Sequence, residues 1–276
     1  FVDKPFNTTM KKFILSVFVA TAIFSCKNEN KTADDATKET EEVAMTTETS
    51  ETEAAFNLTP IEHATAVFEF GDSVFYIDPV GGAEAFEGQP APDVILVTDI
   101  HGDHLNQATL KAVATPETTI YAPQAVFDQL EGPIRAQVTV INNEEAKSWD
   151  GYTLTAIPMY NLREEAKQFH TKGRGNGYVL EKDGMRVYFS GDTEDIPEMR
   201  NLENIDKAYV CMNLPYTMTV ESAADGVIAF KPKEVYPYHF RGKDGLSDVE
   251  KFKGIVDSAN VGTEVMLLDW YPNGAE

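Results

Sequence analysis

The sequence predicts an α/β fold, a four-layer αββα sandwich in which two β-sheets lie face to face under outer helices. Three observations point there. From Phe56 onward, short apolar runs alternate with stretches of helical spacing. Those runs gather into two strand-rich blocks, one on each side of residue 150, and four of them end directly on a side chain able to bind a metal. Polar groups at the ends of strands from distant parts of a chain converge on one edge of a sandwich, and that edge is where a site forms.

Taken in order, residues 66–70 (AVFEF) and 73–78 (SVFYID) flank Gly71-Asp72, a hairpin turn signal. Residues 94–98 (VILVT) form the next strand, and residues 106–114 (NQATLKAVA) follow as a helix. Residues 119–122 and 138–141 are further strands with a helix over 123–130 between them. The second block holds strands at 152–157, 177–181 and 185–190, the last two joined by a tight turn at Lys182-Asp183-Gly184. Residues 208–212 read as a buried strand, with Cys211 packed in it. Residues 219–230 have helical spacing with Thr219 as the N-cap and Pro232 as the stop, and residues 234–239 (EVYPYH) return as a strand that ends on a histidine.

With 276 residues, 42% of them hydrophobic, the chain can form one large domain or two ordinary ones, and the pattern from residue 56 to 276 favours one. The net charge of −22 excludes a basic surface for nucleic acid. Part of the acidity falls in residues 27–55, a Thr-, Glu- and Ala-rich stretch without aromatics and with almost no large apolar side chains, which reads as a disordered acidic tether. Ahead of it, Met10 and two lysines precede a dozen apolar residues (13–24) and then Ser25-Cys26. Residues 10–26 therefore have the layout of an export signal peptide, too short to span a membrane as a mature helix. Residues 23–26 resemble a bacterial lipobox, which would make Cys26 a lipidation site and the protein a lipid-anchored component of the bacterial cell envelope. A plain cleaved signal or a short anchor helix is the alternative. Residues 1–9 read as an upstream extension. Only Cys211 accompanies Cys26, so no disulfide framework is available to the folded part.

The densest chemistry lies in residues 99–104 (DIHGDH), where an apolar strand breaks into Asp99, His101, Asp103 and His104. Side chains alternate along an extended run, which puts Asp99 and His101 on one side, and Gly102 frees the turn that lets Asp103 and His104 close on the same point. Asp78, Asp192 and His239 stand after other strands.

Here the chain resembles the metallo-β-lactamase-fold hydrolases, whose first motif is His-x-His-x-Asp-His. Residues 99–104 match it with Asp99 in place of the first histidine, Gly191-Asp192-Thr193 matches the bridging-aspartate motif, and Tyr238-His239 matches the last histidine. An opening like Ile61-Glu62-His63-Ala64 and Tyr76-Ile77-Asp78-Pro79 is closest to a branch of uncharacterised metal-dependent hydrolases related to sugar-lactone hydrolases. The resemblance implies two divalent metal ions, zinc by default with Mn²⁺ or Fe²⁺ compatible. Asp103, His104 and His239 would hold one, and Asp192 would bridge to the other. Asp99 and His101 would hold the second with either His170 or Asn161. Three carboxylates against two cations favour occupancy of both positions.

The implied activity is hydrolysis of an ester, lactone or phosphodiester bond in a small molecule by a metal-bound hydroxide, with Asp103 as the catalytic residue that orients it. His63 either lines the site or caps its strand, Asp78 either orients a ligand or ends a turn, and Tyr216 either walls the pocket or packs in the core. The Gly-rich run 173–177 lacks the P-loop ending and reads as a mobile loop over the site. Arg163, Lys172, Arg174 and Arg241 lie near the motifs, to receive an anionic substrate or to sit in solvent. A noncatalytic envelope lipoprotein that keeps the fold as a binding module is the rival reading.

Overall fold

The computed structural model describes residues 55–272 and 274. The expected extension, signal peptide, Cys26 and all but the last residue of the tether lie outside the described residues. The first sheet is formed by β1 (Phe56–Glu62), β2 (Thr65–Phe70), β3 (Ser73–Ile77), β4 (Val94–Leu96), β5 (Thr119–Ala122) and β6 (Val138–Val140), neighbours in that order. The β1–β2 and β2–β3 pairs are antiparallel, and the pairs from β3 to β6 are parallel. The second sheet contains β7 (Ala146–Trp149), β8 (Tyr152–Met159), β9 (Gly175–Lys182), β10 (Met185–Phe189), β11 (Lys207–Cys211) and β12 (Glu234–Tyr238). A two-residue hairpin of β13 (Arg241–Gly242) and β14 (Gly245–Leu246) follows, and β15 (Glu264–Val265) adds itself beside β12 at the edge.

Alternation along each strand builds the layers. Phe68 and Phe70 of β2, Phe75 and Ile77 of β3, and Val94 and Leu96 of β4 belong to the core shared with the second sheet, whereas Val67, Tyr76, Ile95 and Val97 point the other way. That outer face is covered by Leu110 of α1 (Gln107–Val113), Val126 of α2 (Gln124–Gln129) and Ile134 of α3 (Pro133–Ala136). The run of four apolar residues at 94–97 follows, because a parallel strand covered on both sides has no wet face. Phe68 bridges the sheets, stacking on Phe75 at 5.0 Å and on Phe189 of β10 at 5.1 Å. The far side of the second sheet carries α4 (Pro197–Arg200), α5 (Val220–Phe230) and α6 (Val249–Ala259), which contribute Met199, Val227, Phe230, Phe252 and Val256 to the same core. The expected four-layer α/β sandwich is what these layers make.

Local signals explain the ends. The Thr219 hydroxyl accepts from the Ser222 N–H at 3.0 Å to start α5, and Asn106 does the same for Thr109 in α1. Gly71 turns the β2–β3 hairpin at φ +58°. One expectation is corrected in part: Gly175 to Gly177 of the Gly-rich run are buried in β9 rather than looped over the site, whereas Gly173 and Arg174 lie in the turn ahead of it. The reason is close approach. A Cβ on Gly175 would stand 2.9 Å from the Thr98 carbonyl oxygen, and one on Gly177 would stand 2.8 Å from that of Ser190.

Cys211 is fully buried in β11, and burial pushes its thiol up to about 12. In a Cys26→Ser chain a thiol reagent at pH 8 is therefore expected to label Cys211 only as fast as the domain unfolds. Rapid labelling of the folded chain would contradict this packing.

Candidate metal centre

The site is assembled where strands end. Asp78 follows β3, Thr98 to His104 follow β4, Asp192 follows β10 and His239 follows β12, so one edge of the sandwich receives them all. Asp78 and His239 leave their strands at φ +46° and +48°, a left-handed step that turns each side chain inward.

Asp192 is the hub. Its carboxylate, 3% exposed, has His239 Nε2 at 3.2 Å, His170 Nε2 at 3.1 Å and His104 Nε2 at 3.4 Å. His104 Nε2 and His239 Nε2 are 3.0 Å apart, and Asp103 approaches them at 3.8 and 3.5 Å. On the other side of Asp192, Asp99, His101 and His170 form a second group, with Asp99 2.8 Å from His101 Nδ1 and 3.9 Å from His170 Nε2. The structure brings His170 into this group and not Asn161. The Asn161 amide donates to the carbonyls of Ala166 and Tyr216 at 2.9 and 2.7 Å and lies behind His170, 3.3 Å from its Nδ1.

Each imidazole is tied from behind. His104 Nδ1 meets Asp78 Oδ2 at 2.8 Å, and Asp78 also accepts from the Thr98 N–H at 2.7 Å and the Thr98 hydroxyl at 2.6 Å. His170 Nδ1 donates to the Tyr216 carbonyl at 3.1 Å, and His239 Nδ1 meets the Asn213 amide at 3.1 Å. These contacts leave Nε2 of all three rings facing Asp192. His63 lies beside Asp103 at 3.4 Å, and its Nδ1 is 2.8 Å from the Tyr271 hydroxyl. That hydroxyl accepts the N–H groups of Phe240 and Arg241, so its own proton goes to His63. Thr98, Asn213 and Tyr271 were not foreseen, because a lone Thr, Asn or Tyr far along the chain carries no motif.

Charge is concentrated here. Burial penalises ionisation of Asp192, but the facing His239 and His104 outweigh it and hold the carboxyl well below its usual range. Asp103 is likewise held below, against its burial, by hydrogen bonds from His239 and His63. Burial lowers His63 to about 4, whereas the carboxylates of Asp192 and Asp78 overcome the burial of His104 and raise it. Burial raises Asp78.

The donor set suits divalent metal ions. Three groups of carboxylate and imidazole donors lie within mutual reach: His63, Asp103 and His239; His104, Asp192 and His239; and Asp99, His101 and His170. His170 Nε2 and Asp192 Oδ1 are buried without a hydrogen-bond partner, a costly arrangement that a cation between them would relieve.

The four cations near the motifs, read either as an anion-binding set or as solvated surface, are each paired with a carboxylate. Arg174 clamps Asp99 through two bonds of 3.0 and 2.8 Å. Arg163 binds Glu194 at 2.6 Å and the carbonyl of Pro215, and Lys172 binds Glu198 at 2.6 Å over the Tyr160 ring. Arg241 reaches Glu62 at 3.4 Å and lies over the Tyr271 ring. A cavity of about 320 Å³ opens on the cluster, lined by His101, Asp103, His170, Asp192, Asn213, Phe169 and Tyr216. Phe169, which the sequence reading missed, meets Tyr216 edge to face at 5.3 Å.

Two facing sheets with a histidine–aspartate cluster at one edge define a metallo-β-lactamase-fold protein. The family model of the beta-lactamase superfamily domain matches residues 57–239. A UPF0173 metal-dependent hydrolase of Thermococcus onnurineus is 31% identical over 207 residues, which cover 71% of this chain and 91% of the relative. Among solved structures, a Parabacteroides distasonis protein described as a metal-dependent hydrolase is 33% identical, with a TM-score of 0.69 over 78% of this chain and 93% of its own. A metallo hydrolase of Ignicoccus hospitalis shares the fold at 22% identity, with a TM-score of 0.64 over 78% and 95%. The chain belongs to the beta-lactamase superfamily and, within it, to the UPF0173 metal-dependent hydrolases.

Proposed function

We propose that the chain is an exported, membrane-tethered hydrolase of small carboxyl esters or lactones. Asp103, His104 and His239 would hold one divalent metal ion, Asp99, His101 and His170 a second, and Asp192 would be shared; zinc is the first expectation. The observation that carries this reading is the buried Asp192 carboxylate with three imidazole Nε2 atoms within 3.4 Å. Divalent ions bound there would supply a water acidified toward neutrality and an electrophile for the carbonyl oxygen.

The chain's own residues do the rest. Asp103 has a side chain 43% exposed and lines the cavity, so it can accept a hydrogen bond from the attacking water and orient it. His63 holds Asp103 from the side away from His104. Phe169 and Tyr216 offer an apolar wall to the acyl or alkyl part of the substrate.

The choice among substrates rests on charge. The cavity lining contains Asp103 and Asp192 but no lysine or arginine, and Arg163, Lys172 and Arg174 are all engaged with carboxylates. A phosphodiester would meet no arginine or lysine clamp in that lining and would depend on the metal ions alone to hold its charge, whereas a neutral ester or lactone needs no such clamp.

The two lysines, the apolar run and Cys26 ahead of an acidic stretch support export and a lipid anchor at the bacterial cell envelope. Incorporation of labelled palmitate that disappears in Cys26→Ser is the expected result.

The catalytic reading is tested with zinc-loaded protein on p-nitrophenyl acetate, a γ-lactone and bis-p-nitrophenyl phosphate. Turnover of the neutral substrates above the diester is expected, with kcat falling about 100-fold in Asp103→Ala. A preference for the diester would overturn the substrate class, and no turnover of any of them would overturn the catalytic reading.

A further inference from the structure

We infer that the two metal positions are unequal, and that Arg174 makes them so by clamping Asp99 and weakening the position formed by Asp99, His101 and His170. The inference rests on the metal-centre reading given above. It begins with the carboxylate's capacity. Asp99 is fully buried, its Oδ1 accepts from Arg174 Nε at 3.0 Å, and its Oδ2 accepts from an Arg174 terminal nitrogen at 2.8 Å and lies 2.8 Å from His101 Nδ1. An ionised carboxylate offers about four lone-pair sites, and Arg174 occupies two of them, one on each oxygen, before any metal arrives.

The clamp is not a loose surface contact. The same terminal nitrogen of Arg174 donates to the Phe169 carbonyl, and the Arg174 backbone N–H donates to Thr171 at 3.2 Å. Gly175, next in the chain, lies so close to the Thr98 carbonyl that a Cβ would stand 2.9 Å from it, and the Asn176 N–H donates to that carbonyl at 2.9 Å. The backbone beside Arg174 is thus fastened to the residue preceding Asp99. A guanidinium remains charged at any working pH and forms its two-point fork at low entropic cost. A cation entering this position must share Asp99 with it or displace it, with a positive charge left alongside in a poorly solvated place.

The other position is supported in the opposite sense. The ring of His104 is backed by the Asp78 carboxylate at 2.8 Å, which strengthens the imidazole as a donor. Asp103 is met by the rings of His63 and His239 rather than by a guanidinium fork. An aspartate at position 99 is therefore half of an ion pair and not simply a harder substitute for a histidine ligand.

The test is titration of the metal-free protein with Zn²⁺ against a fluorescent chelator, with bound metal counted by mass spectrometry after gel filtration. The wild-type chain is expected to bind one equivalent tightly and a second about 100-fold more weakly. In Arg174→Gln the first affinity should hold while the second tightens by about tenfold or more. Should Arg174→Gln not fold, Arg174→Lys keeps the cation but loses the fork, and it should also narrow the gap. Two equivalents of similar affinity in the wild type, or a gap untouched by either substitution, would overturn the inference and leave the hydrolase reading standing. Failure of the wild-type chain to bind any zinc would overturn both.

Discussion

Asp192→Asn is expected to lower kcat/KM by at least about three orders of magnitude, or ~4 kcal/mol of transition-state stabilisation, while leaving the metal-free domain folded. The carboxamide has nearly the shape of the carboxylate, so the packing beneath it is kept. What disappears is the negative charge that faces His104, His170 and His239 at 3.1–3.4 Å and that the two proposed metal positions would share. Binding confined to the folded state stabilises a protein by RT ln(1 + [metal]/Kd), about 4 kcal/mol at a thousandfold excess over Kd. Zinc should therefore raise the wild-type melting temperature, and that rise should vanish in Asp192→Asn. A variant that still melts higher with zinc, or that keeps its turnover, would remove Asp192 from the centre.

Much of this centre was legible because it follows local rules. Alternation marked the strands, Gly71-Asp72 marked the hairpin, and Thr219 marked the start of α5. Asp99, His101, Asp103, His104, Asp192 and His239 each stand just past such a strand, so the topology that gathers strand ends also gathers them. Other parts left no local trace. β1 and β7 have mostly half-buried and exposed residues, which blurs the hydrophobic period, and α6 buries only Phe252 and Val256.

The pairings that tune the centre were hidden for a related reason. Arg174 lies 75 residues from Asp99, Tyr271 lies 208 from His63 and Asn213 lies 26 from His239. No period or spacing links such partners. The glycines at 175 and 177 suggested a flexible loop because composition cannot tell freedom from crowding, and here the backbone of a neighbouring strand leaves no room for a Cβ.

Asp78→Ala should separate two kinds of carboxylate that look alike in the sequence, since both Asp78 and Asp192 follow an apolar strand. Asp78 has no exposed surface, and its oxygens are within hydrogen-bond distance of the Thr98 N–H, the Thr98 hydroxyl and His104 Nδ1. It thereby ties the end of β3 to the stretch that carries residues 99–104. Removing it strands those buried donors, at about 1–3 kcal/mol for each one left unpaired. Some will find water, so a net loss of about 3–4 kcal/mol is expected, which lowers the melting temperature of a domain this size by about 8–12 °C. Because His104 also loses the group that orients it, zinc affinity should fall by about 10–100-fold. Asp192→Asn, by contrast, should lose the metal at a smaller cost to the metal-free fold, that of its pairings with His104, His170 and His239. Thermal melts of both variants in EDTA and in zinc distinguish the roles: a cost for Asp78→Ala in both media means it fastens the scaffold under the metal, whereas a cost in zinc alone would make it a ligand partner and nothing more.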